Sequence, residues 1–105
     1  MIARLHREAS AELEKQAAWY EQRRAGLSSD LLDDVRQALD AIAAHPSGWP
    51  LSTLPRARRA GVRRFPLQRF PLTVEYVVED GSVFIVALAH MSRTPGYWLR
   101  RLRLR

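Results

Sequence analysis

Apolar side chains recur every third or fourth residue as far as His45 and every second residue after Gly61, and this single change of period dictates a helical half followed by a sheet half. From about Glu8, Leu13, Ala17 and Tyr20 line one helix face, widened by Ala18 and Trp19. Glu8, Glu12 and Glu14 come early and Arg23 and Arg24 late, as the helix dipole favours. Gly26 is placed to end that helix as a left-handed C′ residue. Ser28 or Ser29 then caps a second helix with Asp30 in its first turn. Its apolar stripe is Leu31, Leu32, Val35, Ala38, Leu39 and Ile42, with Asp33, Asp34, Arg36, Gln37 and Asp40 on the wet face. His45-Pro46 stops it. So short a link predicts an antiparallel helical hairpin over about 8–45.

Residues 46–61 hold three prolines and two glycines and read as an irregular connector. A β-meander is expected over about 62–90. Its first strand, Val62 to Leu67, carries Pro66 and so belongs at an edge or bulge. In its second, Leu72, Val74, Tyr76 and Val78 share one face, with Thr73, Glu75 and Glu79 on the other. Asp80-Gly81 is a tight hairpin signal. The nearly unbroken apolar run from Ser82 to Ala89 suits a central strand covered on both faces. Residues 2–6 alternate and suggest a short leading strand. The basic segment 91–105 ends in alternating Leu and Arg and is open between strand, short helix and frayed tail. The fold class is α+β, with the hairpin packed on a small antiparallel sheet.

At 105 residues this is one domain's length. The absence of cysteine excludes disulfides, thiolate metal sites and thiol chemistry, and three scattered histidines (His6, His45, His90) suggest no metal site. No cofactor is expected: there is no glycine-rich phosphate loop and no carboxylate–histidine cluster. No apolar stretch approaches the roughly 18 residues of a membrane span, and the charged N-terminus is unlike a signal peptide, so a cytoplasmic protein with no membrane partner is expected. Residues 1–48 carry eight acids and six bases, whereas residues 49–105 carry three acids and eleven bases, out of a total charge of +6. A basic half on a near-neutral half points to nucleic acid or an acidic protein; an arginine-rich genome accounts for the composition but not for the asymmetry.

The residues with chemistry to offer are arginines and aromatics. Arg56, Arg58, Arg59, Arg63 and Arg64 crowd the connector and the strand after it, Arg69 follows, and His90, Arg93, Tyr97 and Trp98 come at the end of the last strand. Guanidinium groups bind phosphates and carboxylates bidentately, and aromatic rings stack on unpaired bases. The plainer reading pairs Arg64 or Arg69 with Glu75 or Glu79, folds Tyr97 and Trp98 back as core, and makes His90 a hydrogen-bonded structural histidine. The acids read as solvated helix faces, which argues against paired-carboxylate hydrolysis.

In order and spacing, several segments resemble a known family. They are His6-x-Glu8-Ala9, Ala17-Ala18-Trp19-Tyr20-Glu21, Leu31-Leu32-Asp33-Asp34-Val35, Ile42-Ala43-Ala44-His45-Pro46, Gly61-Val62-Arg63-Arg64, Arg69-Phe70-Pro71, Tyr76-Val77-Val78, Ala87-x-Ala89-His90 and Arg93-x-Pro95-Gly96-Tyr97-Trp98. Together they resemble the RelE/ParE superfamily of type II toxin–antitoxin toxins, often labelled plasmid stabilisation proteins, over nearly the whole chain. The resemblance implies one RelE/ParE-like toxin domain over 1–105. It implies growth inhibition held in check by a cognate antitoxin from the same operon, in a toxin–antitoxin hetero-oligomer. The implied target is DNA gyrase for ParE-like members, and the ribosome with its mRNA for RelE-like endonucleases. Met91-Ser92 stands where catalytic relatives are basic, and the sole lysine, Lys15, lies in the first helix, which favours a non-catalytic ParE-like toxin. On the endonuclease alternative His90, Arg93 and Tyr97 are the catalytic candidates. Arg58, Arg59, Arg63, Arg64, Arg69 and Trp98 are the candidates for binding target or antitoxin. A degenerate toxin that only binds antitoxin or nucleic acid is a further alternative.

Overall fold

The computed structural model describes residues 3–104. Its elements, in chain order, are strand β1 (Ala3–Leu5), helices α1 (Arg7–Arg23), α2 (Leu27–Ala44) and α3 (Pro55–Arg59), strands β2 (Arg63–Pro66), β3 (Leu72–Glu79) and β4 (Ser82–His90), and a C-terminal 3₁₀ helix, Leu99–Leu104. Ile2 and Arg105, included in the expected leading strand and the basic tail, lie outside the described residues.

The sheet order is β1-β4-β3-β2. β2, β3 and β4 form the expected antiparallel meander, and β1 joins β4 in parallel, so the sheet is mixed. β2 lies at the edge, where Pro66 removes no interior ladder bond. Asp80 and Gly81 both adopt positive φ, 47° and 76°, to turn the hairpin. Glu75 pairs with Ala87 but Tyr76 with Ile85, leaving Val86 as an extra residue in β4. That bulge puts Val86 and Ala87 on the same side of the sheet.

The helical hairpin covers one face. Leu31, Val35, Ala38 and Ile42 of α2 pack with Ala9 of α1 on Leu72, Val74, Tyr76, Ile85 and Leu88. Three expectations for this half are corrected. Ala18 and Trp19 face solvent, Trp19 with Arg23 stacked 4.0 Å above its ring. Gly26, at φ 94°, is the N-cap of α2 and not the C′ residue of α1. The cap is supplied neither by Ser28 nor by Ser29. The Glu21 carboxylate accepts from Gly26 N at 3.0 Å and Ser28 N at 2.9 Å, and these donors hold its pKa below the usual range.

Asp34 is also corrected. It is buried, 2% exposed, and its Oδ2 accepts from Arg69 N at 2.9 Å and Phe70 N at 3.2 Å. The carboxylate satisfies the backbone of the β2–β3 turn, which explains how a charged group survives on the inner side of the helix. The connector is not wholly irregular either, since Pro55 starts α3 at a position where its missing N–H costs nothing.

No helix among the described residues is long and apolar enough to cross a membrane.

Candidate functional site

The other face of the sheet carries a second core, in line with the reading of Ser82 to Ala89 as a strand covered on both faces. Val77, Phe84, Val86 and Ala87 are covered by Ala57 of α3, by Val62 and by Trp98, with Leu54, Tyr97, Leu99 and Leu102 around them. The connector and the C-terminal segment therefore meet over the sheet. At their junction Gly96 has φ 79°, and a Cβ there would sit 3.0 Å from side-chain atoms of both Leu54 and Leu99. Only glycine allows that approach.

An ionic lock holds the C-terminal segment down. Arg101, 4% exposed, donates from Nη1 and Nη2 to Glu12 Oε1 and Oε2 at 3.0 and 2.9 Å, and from Nη1 to Val86 O at 3.1 Å. Leu88 N donates to Glu12 Oε1 at 3.1 Å, and the Tyr97 hydroxyl donates to Glu12 Oε2. Burial and the Glu12 carboxylate push the Tyr97 phenol far above its ordinary range. Arg100 adds a bidentate pair to Glu8 at 2.7 and 2.9 Å near the surface.

Between the connector and this turn lies a pocket of about 250 Å³. Arg64, Glu75, His90, Arg93, Tyr97 and Trp98 line it, with Leu54, Pro95 and others as apolar wall. Glu75, 3% exposed, accepts from Arg64 Nε at 3.1 Å. Burial pushes its pKa up and Arg64 offsets part of that rise. His90 Nδ1 accepts from Ser92 N at 3.1 Å and lies 2.8 Å from Ser92 Oγ. A backbone N–H only donates, so Nδ1 is the accepting nitrogen and the ring carries its proton on Nε2. Arg93 lies over the Tyr97 ring, 3.8 Å from its centroid.

The constellation expected from sequence is thus brought together in part. Arg64, His90, Arg93, Tyr97 and Trp98 share the pocket. Trp98 is 2% exposed and packs as core, so its ring is not on the surface. Tyr97 is committed to Glu12. Arg63 and Arg64 oppose Tyr76 and Glu75 in register and so point to opposite faces, with Arg63 Nη1 donating to Trp49 O at 2.7 Å. Arg69 lies with the helices, 3.4 Å from Asp30. Arg58 and Arg59 are exposed on α3 and form no salt bridge among the described residues. Glu12, Arg101 and Asp34 were missed. Glu8 and Glu12 stand one helical turn apart, a visible spacing, but nothing in sequence links them to bases about 90 residues away. No group of side chains able to hold a metal ion occurs among the described residues.

Among solved structures, one described as the chromosomal ParDE TA system from P. aeruginosa matches with a TM-score of 0.70 and 19% identity, over 86% of this chain and 95% of that one. At that identity the likeness establishes the fold. No curated protein matches. The family model described as ParE toxin of type II toxin-antitoxin system, parDE, matches residues 3–95. With nearly the whole chain matched, the protein belongs to the ParE toxin family of type II toxin–antitoxin systems.

Proposed function

We propose that the chain is a cytoplasmic growth-inhibiting toxin, neutralised by a cognate antitoxin from its own operon, that acts by binding DNA gyrase and not by cutting RNA. The carrying observation is the state of Tyr97. Its hydroxyl is given to Glu12 and its phenol is held far from the range useful for proton transfer, so the tyrosine acts as a structural tie. The exposed guanidinium groups of Arg58 and Arg59, which form no salt bridge among the described residues, suit an acidic antitoxin segment, with fast, salt-sensitive association.

Tight induction with and without the neighbouring open reading frame tests the reading. Arrest relieved by the neighbour, with gyrase supercoiling inhibited and no new mRNA ends, is the expected result. His90 and Arg93 sharing a pocket with Arg64 support the endonuclease alternative. New cleavage sites in translated messages would replace the gyrase reading with it. Normal growth with soluble protein would leave a binding module only.

A further inference from the structure

The pocket under the C-terminal turn holds unspent hydrogen-bonding groups in a definite order. In its wall Glu75 gives one carboxylate oxygen to Arg64 Nε and has no other hydrogen-bond partner among the described residues, although it is 3% exposed. Thr73, in the same wall and equally buried, makes no side-chain hydrogen bond among the described residues. The charged and ring groups that remain are donors, namely the two Nη groups of Arg64, the Nε2–H of His90 and the edge of the Arg93 guanidinium left free by its stacking on Tyr97, while the hydroxyls of Ser52, Thr53 and Thr94 in the same lining can donate or accept. Leu54, Ala89, Pro95 and Trp98 supply apolar surface between them.

This arrangement selects among ligands. A lysine or arginine side chain would satisfy Glu75 but bring a further positive charge to two guanidinium groups set against one carboxylate. An acidic side chain would suit the arginines and oppose Glu75. A guanine nucleotide meets both demands. The base presents two adjacent N–H donors on one edge, matched to a carboxylate, its flat faces suit the apolar wall, and its phosphate is carried at the far end. We propose that this pocket is a guanine-nucleotide site, in which Glu75, steadied by Arg64, takes the N–H edge of the base and Arg93 holds the phosphate. At about 250 Å³ the pocket lies just below the usual small-molecule range of roughly 300–1,000 Å³. It therefore takes one base, with the phosphate at its open side.

Titration of the full chain with GMP, AMP and inorganic phosphate, read by calorimetry, tests the site. GMP should bind saturably at one per chain and AMP about tenfold more weakly, because AMP sets a ring-nitrogen acceptor against Glu75. Phosphate alone should be weaker still. Glu75→Gln should erase the preference for GMP over AMP. Arg93→Ala, at an exposed residue whose loss leaves the fold intact, should weaken both nucleotides about fivefold and leave the preference unchanged. A short single-stranded RNA with one guanosine separates the sources: at least tenfold tighter binding than GMP assigns an RNA strand, and equal binding assigns the free nucleotide. Failure of GMP to saturate, equal affinity for AMP in the unaltered protein, or displacement of GMP by an acidic peptide would each overturn the proposal. Because binding is read on purified protein, the outcome is independent of growth arrest.

Discussion

Arg101 and Glu12 meet side-on, Nη1 to Oε1 at 3.0 Å and Nη2 to Oε2 at 2.9 Å, across 89 residues of chain. This pair closes the second core by fixing the C-terminal segment to the first helix. The two ends of the pair are not equivalent. Without Arg101, Glu12 keeps donors from Tyr97 and Leu88. Without Glu12, Arg101 keeps Val86 O and a Glu8 oxygen 3.7 Å from a buried Nε that has no hydrogen bond. Glu12→Ala should therefore cost about 3–5 kcal/mol and Arg101→Met about 1–3 kcal/mol in denaturant unfolding. Equal costs, or the reverse order, would contradict the asymmetry.

Asp34→Ala removes the carboxylate that accepts from two backbone N–H groups, those of Arg69 and Phe70. The expected loss is about 2–4 kcal/mol. Asp34→Asn retains an acceptor oxygen and should recover at least half of it. If alanine and asparagine behave alike, the carboxylate is not what holds the β2–β3 turn.

His6 caps α1 by accepting from Glu8 N through Nδ1 at 3.0 Å, which requires an unprotonated ring. Burial lowers its pKa from 6.5, helped by the charge of Arg101. The unfolded chain therefore takes up this proton first. The stabilisation is complete above about pH 6.5 and is lost as pH falls through the folded value. Between pH 7 and 5 the native protein should lose of order 1 kcal/mol that His6→Asn, which keeps a capping acceptor, does not lose. Thermal unfolding of the two proteins across that range measures the difference, and parallel curves would remove His6 from the account.

The elements legible in the sequence were those whose apolar spacing is local. The apolar stripe of α2 and the Asp80-Gly81 turn each sit within a few residues, and both form, with Leu31, Val35, Ala38 and Ile42 buried, although Leu32, read in the same stripe, is exposed. What stayed hidden is pairwise and distant. Asp34 reads as one more acid on a wet helix face until the turn at Arg69 is folded onto it. β4 covered on both faces and Trp98 as core were both read from the sequence, but not that Ala57 would join Trp98 over Val86 and Ala87, two successive residues that the bulge turns to one face. In the candidate site, the crowding of arginine and aromatic residues was visible, but the alternation that sends Arg63 and Arg64 to opposite faces depends on strand register.

That opposition decides how the arginines must be tested. Arg64→Ala strips the buried Glu75 carboxylate of its guanidinium partner, and Arg63→Ala leaves the Trp49 carbonyl without its guanidinium donor. The Arg63→Ala, Arg64→Ala double variant is thus a stability variant, with an expected loss of about 2–4 kcal/mol, and a loss of growth arrest in it would say little about recognition. Arg58→Ala with Arg59→Ala removes two exposed charges from α3 and should change stability by less than about 0.5 kcal/mol. If these arginines meet an acidic antitoxin, the association rate should fall about tenfold at low salt and converge with the native rate as salt rises. Rates that match at every salt concentration would move the antitoxin contact away from α3.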